Sequence, residues 1–272
     1  MPELPEVETI KRDLGKVILN LKVLDVRISD GRVVSNKDPR KFIKALKGRT
    51  FSRILRRGKA LVFAFREDGY LVVQPMMTGQ LIYGKPLSTA KVRFYLSDGQ
   101  TLNYNDQRTF GRLQFVEDLN EIKYLQSLGL DPLGDDFHPV FLKAALAFKK
   151  TPIKSLLMNQ GFVAGIGNIY ASEILFTSRI HPERPANSLS DREMDSLYQA
   201  TLAVLKEAVE LRGTSMHTYR DLHGQKGKFL NRLKVYGRED QKCFRCQALI
   251  SRIVQAGRSS FLCRRCQPLE IG

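Results

Sequence analysis

The chain has 272 residues, which exceeds one average domain but is too short for three of that size. Its 43% hydrophobic content, with 20 Gly and 11 Pro, excludes a disordered chain. The 44 Lys and Arg against 28 Asp and Glu give a net charge of +16, which favours nucleic acid or an anionic membrane surface as partner and leaves acidic proteins possible. No apolar run approaches the length of a membrane span and the start, MPELPEVE, lacks a signal-peptide pattern, so we expect a cytoplasmic protein.

The first predicted element is a helix near the N-terminus. Pro5 suits a first helical turn, and Glu6 next to it complements the positive end of the helix dipole. Val7, Ile10 and Leu14 recur at helical spacing and predict one buried face.

Short strand-like runs follow from Leu21 to about Val116. Asp68-Gly69 and Asp98-Gly99 separate such runs and are typical of hairpin turns. This density of short strands predicts an antiparallel sandwich or barrel. The runs are LKVLDVRIS, FSRILRR, ALVFAFR, YLVVQP, KVRFYLS, TLNYN and RLQFV.

The hydrophobic period changes from two to 3.6 after residues 129–139, GLDPLGDDFHP, which predicts a domain boundary and then helices. The segment from Gly213 to Gly237 is polar, basic and interrupted by glycines, which indicates a loop. Helix starts are indicated at Thr151-Pro152, at Asn168 and at the capping box of Ser190 and Glu193, whose long helix is predicted to end at Gly213.

The four cysteines lie near the C-terminus with the spacing C-x2-C-x16-C-x2-C, as Cys243, Cys246, Cys263 and Cys266. Two close pairs of thiolates are what tetrahedral zinc requires, and four cysteines leave no open position for catalysis, so the spacing predicts one structural Zn²⁺. From Lys242 to Cys266 there are six Arg or Lys and no Asp or Glu. That surface either binds phosphates or is merely solvated.

Pro2 would carry the N-terminal amine once the initiator Met is removed. A terminal secondary amine with an ordinary pKa near 8 keeps a neutral fraction at neutral pH and is able to attack an electrophilic carbon. Glu3 follows directly and offers a carboxyl group for proton transfer. The alternative from these residues alone is an ordinary helix start, where proline and acids are common.

Several motifs together carry a family resemblance: MPELPEVET at the start, RRGK at 56–59, DQRTFG at 106–111, GIGNIYASEILF at 165–176 and the four-cysteine ribbon. The chain resembles formamidopyrimidine-DNA glycosylases over essentially its whole length. PELPE, where the related endonuclease VIII branch has PEGPE, indicates the oxidised-purine branch.

The resemblance implies an α+β fold and a catalytic set at the N-terminus. The fold would be an N-terminal helix with an antiparallel β-sandwich, then a helical domain with a helix–two-turn–helix and a zinc-ribbon hairpin. Pro2 would attack C1′ of the damaged nucleoside, and the resulting iminium would permit β- and then δ-elimination. Glu3 would be the acid that assists sugar opening, Glu6 a supporting acid, and Lys59 the cation against the lesion phosphate.

The resemblance also implies DNA contacts. Three side chains would fill the hole left by an everted nucleotide, and the others would bind near the lesion or its phosphates. The fillers are Met77, Arg108 and Phe110, and the other contacts are Lys91, Lys154, Asn168 and Arg258. Without the resemblance, Met77 and Phe110 would be interpreted as core residues.

Two departures from the family pattern bear on the substrate. Gln74-Pro75 stands where members usually have His-Leu, and the proline restricts the backbone leading to Met77. Thr89-Ala90-Lys91 replaces a usual His-x-His, and Lys91 binds phosphate only as a point charge. The alternatives are therefore an oxidised-pyrimidine glycosylase of the endonuclease VIII type and a non-catalytic zinc-ribbon protein that binds damaged DNA.

The predicted organisation has three parts. Residues 1–130 form the catalytic sandwich, 131–237 the helical domain with a lesion-capping loop, and 238–272 the zinc finger. We expect a monomer that acts on double-stranded DNA containing oxidised bases, with no organic cofactor and no membrane.

Overall fold

The computed structural model describes residues 1–36, 38–216 and 218–269, so position 217 of the predicted capping loop lies outside the described residues. The chain forms two compact units. The first unit is Met1–Gln126 with Leu211–Leu230, and the second is Ser127–Glu210 with the described chain from Asn231 onward. Because 211–230 packs in the first unit, this grouping differs from the sequence-based division at 130 and 237, and that division stays a prediction.

Helix α1 spans Leu4–Val17, as the N-terminal pattern predicts. Pro5 lies in its first turn, where a missing N–H costs no helical hydrogen bond. Val7, Ile10 and Leu14 are at most 1% exposed, and burial of each such side chain contributes about 1.5–3 kcal/mol. The predicted amphipathic face is confirmed.

The first unit also contains two antiparallel four-stranded sheets, in the orders β1-β6-β7-β5 and β2-β3-β4-β8. One continuous cluster of buried side chains draws on both sheets and on α1, as a sandwich requires. The strands are β1 (Val23–Ile28), β2 (Phe51–Arg57), β3 (Ala60–Phe65), β4 (Tyr70–Gln74), β5 (Gln80–Gly84), β6 (Val92–Leu96), β7 (Thr101–Asn105) and β8 (Arg112–Val116).

Three of the α-helices and strands of this unit were not predicted. Helix α2 (Pro39–Leu46) begins at Asp38, whose side chain accepts from the Arg40 amide, so its signal is a short cap and proline pair within a strand-rich region. Strand β5 is bounded by glycines and contains a short apolar run, and pairing with β7 forms it. A short helix, α3 (Lys123–Gln126), follows β8.

The second unit is mostly helical, as predicted. Ser190 and Glu193 form the predicted capping box: the Ser190 amide donates to Glu193 Oε2 at 2.8 Å, and the Glu193 amide donates to Ser190 Oγ at 3.3 Å. The elements are α4 (Pro139–Leu146), α5 (Ile153–Leu157), α6 (Asn168–Thr177), α7 (Asp191–Glu210) and the ribbon strands β9 (Ser251–Gln255) and β10 (Arg258–Leu262).

Three predicted helix ends are corrected. The N-cap of α6 is Gly167, because Asn168 already has helical geometry as the first residue. The N-cap of α5 is Pro152, one residue later than predicted. Helix α7 stops at Glu210 because Arg212 and Gly213 both have positive φ, which ends a right-handed helix. In the described part of the chain, no helix is both long and apolar enough to cross a membrane.

The two predicted hairpin turns offer a matched test of packing against backbone strain. Gly69 has φ +74°, and a Cβ there would lie 2.6 Å from the Phe115 ring, whereas Gly99 has φ +81° and open space around it. Gly99→Ala should lower the free energy of unfolding by about 1–2 kcal/mol, the cost of left-handed backbone alone. Gly69→Ala should lower it by about 2–4 kcal/mol, since repacking of Phe115 adds to that cost. Urea unfolding measures both, and equal losses would contradict the Phe115 contact.

Candidate functional site

Glu6 fixes the N-terminal residues of α1. Its Oε2 accepts from the Glu3 amide and its Oε1 accepts from the Thr214 amide, both at 2.7 Å. Pro2, Glu3 and Glu6 are all buried. Gly213 has φ +78°, and a Cβ there would lie 2.6 Å from Glu6 Oε1, so only glycine allows this close approach. The backbone that carries the N-terminus is therefore bonded to the start of segment 211–230.

The N-terminal amine lies in an environment that favours its neutral form. Burial lowers the pKa of this amine below its ordinary value, Glu3 and Glu6 oppose that change, and the Lys59 charge adds to it. The amine belongs to Met1, and removal of Met1 would transfer it to Pro2. The structure thus brings together the predicted set of Pro2, Glu3, Glu6 and Lys59 around one amine.

Lys59 lies in the tight turn between β2 and β3, and an ion pair not predicted from the sequence supports this turn. Arg56 Nε donates to Glu8 Oε2 at 2.9 Å, and both side chains are less than 10% exposed. Arg56 Nη1 donates to the carbonyl of Gly58 at 3.3 Å. Burial raises the pKa of Glu8, but the Arg56 and Lys11 charges outweigh it and hold that pKa below its ordinary value. Glu8 therefore ties the Lys59 turn to α1.

Met77, Arg108 and Phe110 form one exposed cluster, which we call the filler trio. Met77 is 42% exposed and Phe110 50% exposed, so neither belongs to the core. Arg108 Nη1 donates to Met77 Sδ at 3.2 Å, and the guanidinium carbon lies 4.6 Å from the centre of the Phe110 ring. The reading of Met77 and Phe110 as core residues is wrong.

The Gln74-Pro75 departure leaves Met77 within this cluster. Pro75 starts a tight turn in which its carbonyl accepts from the Gly79 amide at 2.9 Å. Met76 has φ +53°, a left-handed conformation that reverses the chain just before Met77. The altered sequence still presents Met77 beside Arg108.

Lys91 lies in a separate charged cluster. Its Nζ is 3.7 Å from Asp30 Oδ2, and Arg32 Nη2 is 2.6 Å from the same oxygen. The hydrogen bond from Arg32 is the main reason that the pKa of Asp30 lies well below its usual range. The structure therefore pairs the Lys91 ammonium with a carboxylate rather than with the filler trio.

In the second unit, Lys154 and Asn168 both bind the ribbon. Lys154 Nζ donates to the Ser259 carbonyl at 3.0 Å and to Ser260 Oγ at 2.6 Å, and Asn168 Nδ2 donates to the Ser259 carbonyl at 2.9 Å. Lys154 is only 2% exposed, which the sequence did not indicate. Among the described residues, Asn168 Oδ1 is buried without a hydrogen-bond partner.

Arg258 is exposed at the tip of the ribbon hairpin and lines a cavity of about 230 Å³. Lys154, Met158, Asn159 and Gln255 line the same cavity. Arg258 is the exposed cation of this cavity, because the Lys154 ammonium is buried against Ser259 and Ser260. The structure thus gathers three of the predicted DNA contacts, Lys154, Asn168 and Arg258, around the ribbon.

The four cysteines meet as the spacing predicts. Their sulfur atoms all lie within 4.8 Å of one another, with Cys243 to Cys266 at 3.9 Å and Cys246 to Cys263 at 3.4 Å. A tetrahedral ZnS₄ site with bonds of about 2.3 Å has sulfur–sulfur edges of about 3.8 Å. The residues therefore fit a structural zinc ion that joins the two turns of the ribbon.

Replacement of one ligand should remove the metal. Cys246→Ser should reduce bound zinc from one equivalent to near zero and weaken DNA binding, since a closed four-thiolate site depends on every ligand. Leu249→Ser, at a ribbon side chain that is 58% exposed, is the control and should keep the zinc. Elemental analysis and DNA titration measure both. Full zinc content and unchanged affinity in Cys246→Ser would contradict the structural role.

Three family models match the chain in order. The formamidopyrimidine-DNA glycosylase N-terminal domain matches residues 1–113, the formamidopyrimidine-DNA glycosylase H2TH domain 128–220, and the zinc finger found in FPG and IleRS 240–269. The last match agrees with the cysteine geometry, so the ribbon is a zinc finger.

Relatives and solved structures cover nearly the whole chain. Formamidopyrimidine-DNA glycosylases of Desulfitobacterium hafniense and Heliobacterium modesticaldum are 41% and 40% identical, each over 98% of this chain and 100% of the relative. The MutM (Fpg) protein of Thermus thermophilus superposes with a TM-score of 0.90 at 38% identity, over 99% of this chain and all of that one. The Lactococcus lactis Fpg in complex with abasic-site DNA has a TM-score of 0.90 at 33% identity, over 98% and 99% of the two chains. The chain therefore belongs to the formamidopyrimidine-DNA glycosylase family.

Proposed function

We propose that this protein excises oxidised purines, 8-oxoguanine and formamidopyrimidines, from duplex DNA and then cleaves the abasic strand by β,δ-elimination. Membership of the family makes it a DNA glycosylase with abasic-site lyase activity, and the substrate and mechanism are the proposal. The observation that carries the proposal is the surroundings of buried Pro2: the amine of the preceding residue, Met1, lies within the influence of Glu3, Glu6 and Lys59, and its pKa is lowered.

The chemistry assigned to this site is covalent catalysis. With Met1 removed, the neutral amine of Pro2 forms a bond to C1′ of the damaged nucleoside as the N-glycosidic bond breaks and the base leaves with its electron pair. Glu3 supplies the proton that opens the sugar ring, which gives an iminium between Pro2 and C1′. Loss of a C2′ proton then expels the 3′ phosphate, and a second elimination expels the 5′ phosphate. Water finally releases Pro2.

The lowered pKa of the amine supports this assignment. A group that attacks carbon must be unprotonated, and an amine titrating below its ordinary value is neutral in a larger fraction at neutral pH. Lys59 contributes to that shift and offers its charge to the phosphate beside the lesion. One cation therefore serves both the nucleophile and the substrate.

Three further features support DNA as the partner. The net charge of +16 favours a polyanion and predicts salt-sensitive binding. The exposed filler trio is suited to occupy a hole in the duplex, because eversion of a base is compensated by inserted side chains. Solved relatives from Lactococcus lactis are complexes with DNA that contains Fapy-dG or an abasic site.

The segment from Gly213 to Gly237 is assigned as the loop that covers the everted base. The described part of 211–230 belongs to the first unit and is bonded to α1 through Thr214 and Glu6. Such an attachment gives a covering loop one fixed end beside the nucleophile. We further infer that the protein works in the cytoplasm, on chromosomal DNA if it is bacterial.

The substrate assay should also include an oxidised pyrimidine, because the chain departs from the family pattern at Gln74-Pro75 and Thr89-Ala90-Lys91. Single-turnover excision from duplexes with 8-oxoguanine or dihydrouracil separates the two branches. Faster excision of 8-oxoguanine supports the proposal, and excision of dihydrouracil alone would assign the chain to the endonuclease VIII type of activity. Absence of any excision or strand cleavage would favour a non-catalytic damage binder.

The nucleophile can be tested by substitution. Pro2→Gly should reduce 8-oxoguanine excision by about a hundredfold or more, because a flexible primary amine replaces the ring-constrained secondary amine, while the affinity for the lesion duplex stays within about threefold. Single-turnover kinetics and DNA titration measure the two effects. Excision at the wild-type rate would overturn the assignment of Pro2.

The pH dependence provides a separate test of Lys59. The Lys59 charge lowers the pKa of the Met1 amine, so we expect Lys59→Gln to raise the pKa of the amine that Pro2 carries once Met1 is removed. Activity that requires the neutral amine is lost as the pH falls through its pKa, so the acidic limb of the variant should move to higher pH. Borohydride trapping on an abasic duplex at saturating protein, followed from about pH 5.5 to about pH 9 on both sides of the ordinary amine pKa, measures this limb. An unshifted limb would contradict the role of Lys59 at the amine.

A further inference from the structure

Asp106 is a buried carboxylate at the end of β7, with 0% exposure, and it binds groups from two loops. Its Oδ1 accepts from the Thr78 hydroxyl through a short hydrogen bond and from the Arg108 amide at 3.2 Å. Its Oδ2 accepts from the Gly111 amide at 2.8 Å and from the Tyr104 hydroxyl at 3.4 Å. Both oxygens are therefore used by protein donors.

Three of these four donors come from the two loops that carry the filler trio, and the fourth, the Tyr104 hydroxyl, comes from β7. The loop 75–79 holds Met77 next to Thr78, and the loop 106–111 holds Arg108 and Phe110. Thr78 Oγ1 also accepts from the Arg108 amide at 3.1 Å, so one hydroxyl joins the residue after Met77 to the backbone of Arg108. The relative position of the two loops is thus set by hydrogen bonds that meet at Asp106.

Glycines let the two loops close around this carboxylate. A Cβ on Gly111 would lie 1.6 Å from the Tyr104 hydroxyl, and a Cβ on Gly79 would lie 2.5 Å from the same oxygen. Neither distance is compatible with a side chain, so both backbones pack directly on Tyr104. Gly79 and Gly111 are therefore required because any larger residue would clash with Tyr104.

Each loop also holds one residue in a left-handed conformation. Met76 has φ +53° and Thr109 has φ +54°, and they flank Met77 and Arg108 respectively. Such backbone persists for non-glycine residues only where surrounding contacts determine it. The hydrogen bonds to Asp106 are contacts of that kind, and they turn Met77 toward Arg108.

We propose that Asp106 is a positioning residue that keeps the two filler loops in register, so that Met77, Arg108 and Phe110 enter the duplex as one preassembled unit. The inference rests on the proposed function, because it requires that the trio fills the hole behind an everted base. Asp106 touches no DNA in this account and acts through the trio. Precise placement of such groups matters because errors of about 1 Å reduce rates by up to about a hundredfold.

Two variants and one control isolate this role. Asp106→Asn replaces one accepting oxygen by an NH₂ group, which cannot accept from the donors on that side. Thr78→Val keeps the shape of the side chain and removes the hydroxyl link to Arg108. Asp98→Asn is the matched control, because Asp98 also accepts from a tyrosine hydroxyl, that of Tyr83, but on the exposed hairpin at the other end of β7.

Three measurements are made on each full-length protein: single-turnover excision from an 8-oxoguanine duplex, borohydride trapping on single-stranded abasic DNA, and the fluorescence change of 2-aminopurine placed opposite a tetrahydrofuran abasic analogue at saturating protein. Single-stranded DNA has no opposite base and no hole to fill. The fluorescence reports insertion without any chemistry. Thermal unfolding checks that each variant is folded.

We expect excision to fall by about tenfold or more in Asp106→Asn and Thr78→Val, with trapping on single strands within about twofold of wild type and a fluorescence change at most about half as large. Asp98→Asn should match the wild type in all three. Wild-type excision and fluorescence in both variants would overturn the inference, and so would an equal loss of excision and single-strand trapping. If Asp106→Asn does not fold, Thr78→Val decides.

Failure of the proposed function is distinguishable from failure of this inference. A wild-type protein that neither excises nor traps would contradict the proposed function. Its fluorescence response would still decide whether Asp106 controls insertion.

Discussion

The burial of the first residues of α1 is the constraint on which the remainder of the site depends. A nucleophilic amine must be neutral at neutral pH and fixed in place, and a chain terminus usually has neither property. Here burial lowers the pKa of the Met1 amine, and Glu6 accepts from the backbone amides of Glu3 and Thr214. The apolar face of α1 anchors the whole arrangement in the core of the first unit.

In each unit, a buried charged side chain joins two elements of that unit. Glu8 with Arg56 ties the Lys59 turn to α1, and Lys154 ties α5 to the ribbon strand β10. Each is hydrogen-bonded as well as buried, which is the condition under which a charge is tolerated away from water. Arg258, by contrast, is exposed at the tip of the ribbon hairpin.

Much of the fold was predictable from local pattern. Helix α1, seven of the eight sandwich strands and both Asp-Gly turns follow from periodicity and turn chemistry. Helix α2 and strand β5 could not be predicted in this way, because tertiary pairing and packing outweigh their short, weak local signals. The predicted N-cap of α6, Asn168, is one residue too late. Helix boundaries are uncertain by about one or two residues when they are predicted from local pattern.

The candidate site also contains some features that could be predicted from the sequence and some that could not. The four cysteines were predictable because ligand spacing is a local property, whereas the pairings of Asp106 and Arg56 join positions far apart in the sequence. The resemblance indicated which residues to expect at the trio, and the structure added that they contact one another. The burial of Lys154 had no local signal at all.

Borohydride trapping of the purified protein on an 8-oxoguanine duplex, with mass spectrometric mapping of the modified peptide, identifies the nucleophile. We expect a reduced DNA adduct on the amine of Pro2, in a chain that has lost Met1. An adduct on a lysine side chain, or a retained Met1 in protein that excises 8-oxoguanine, would contradict this expectation.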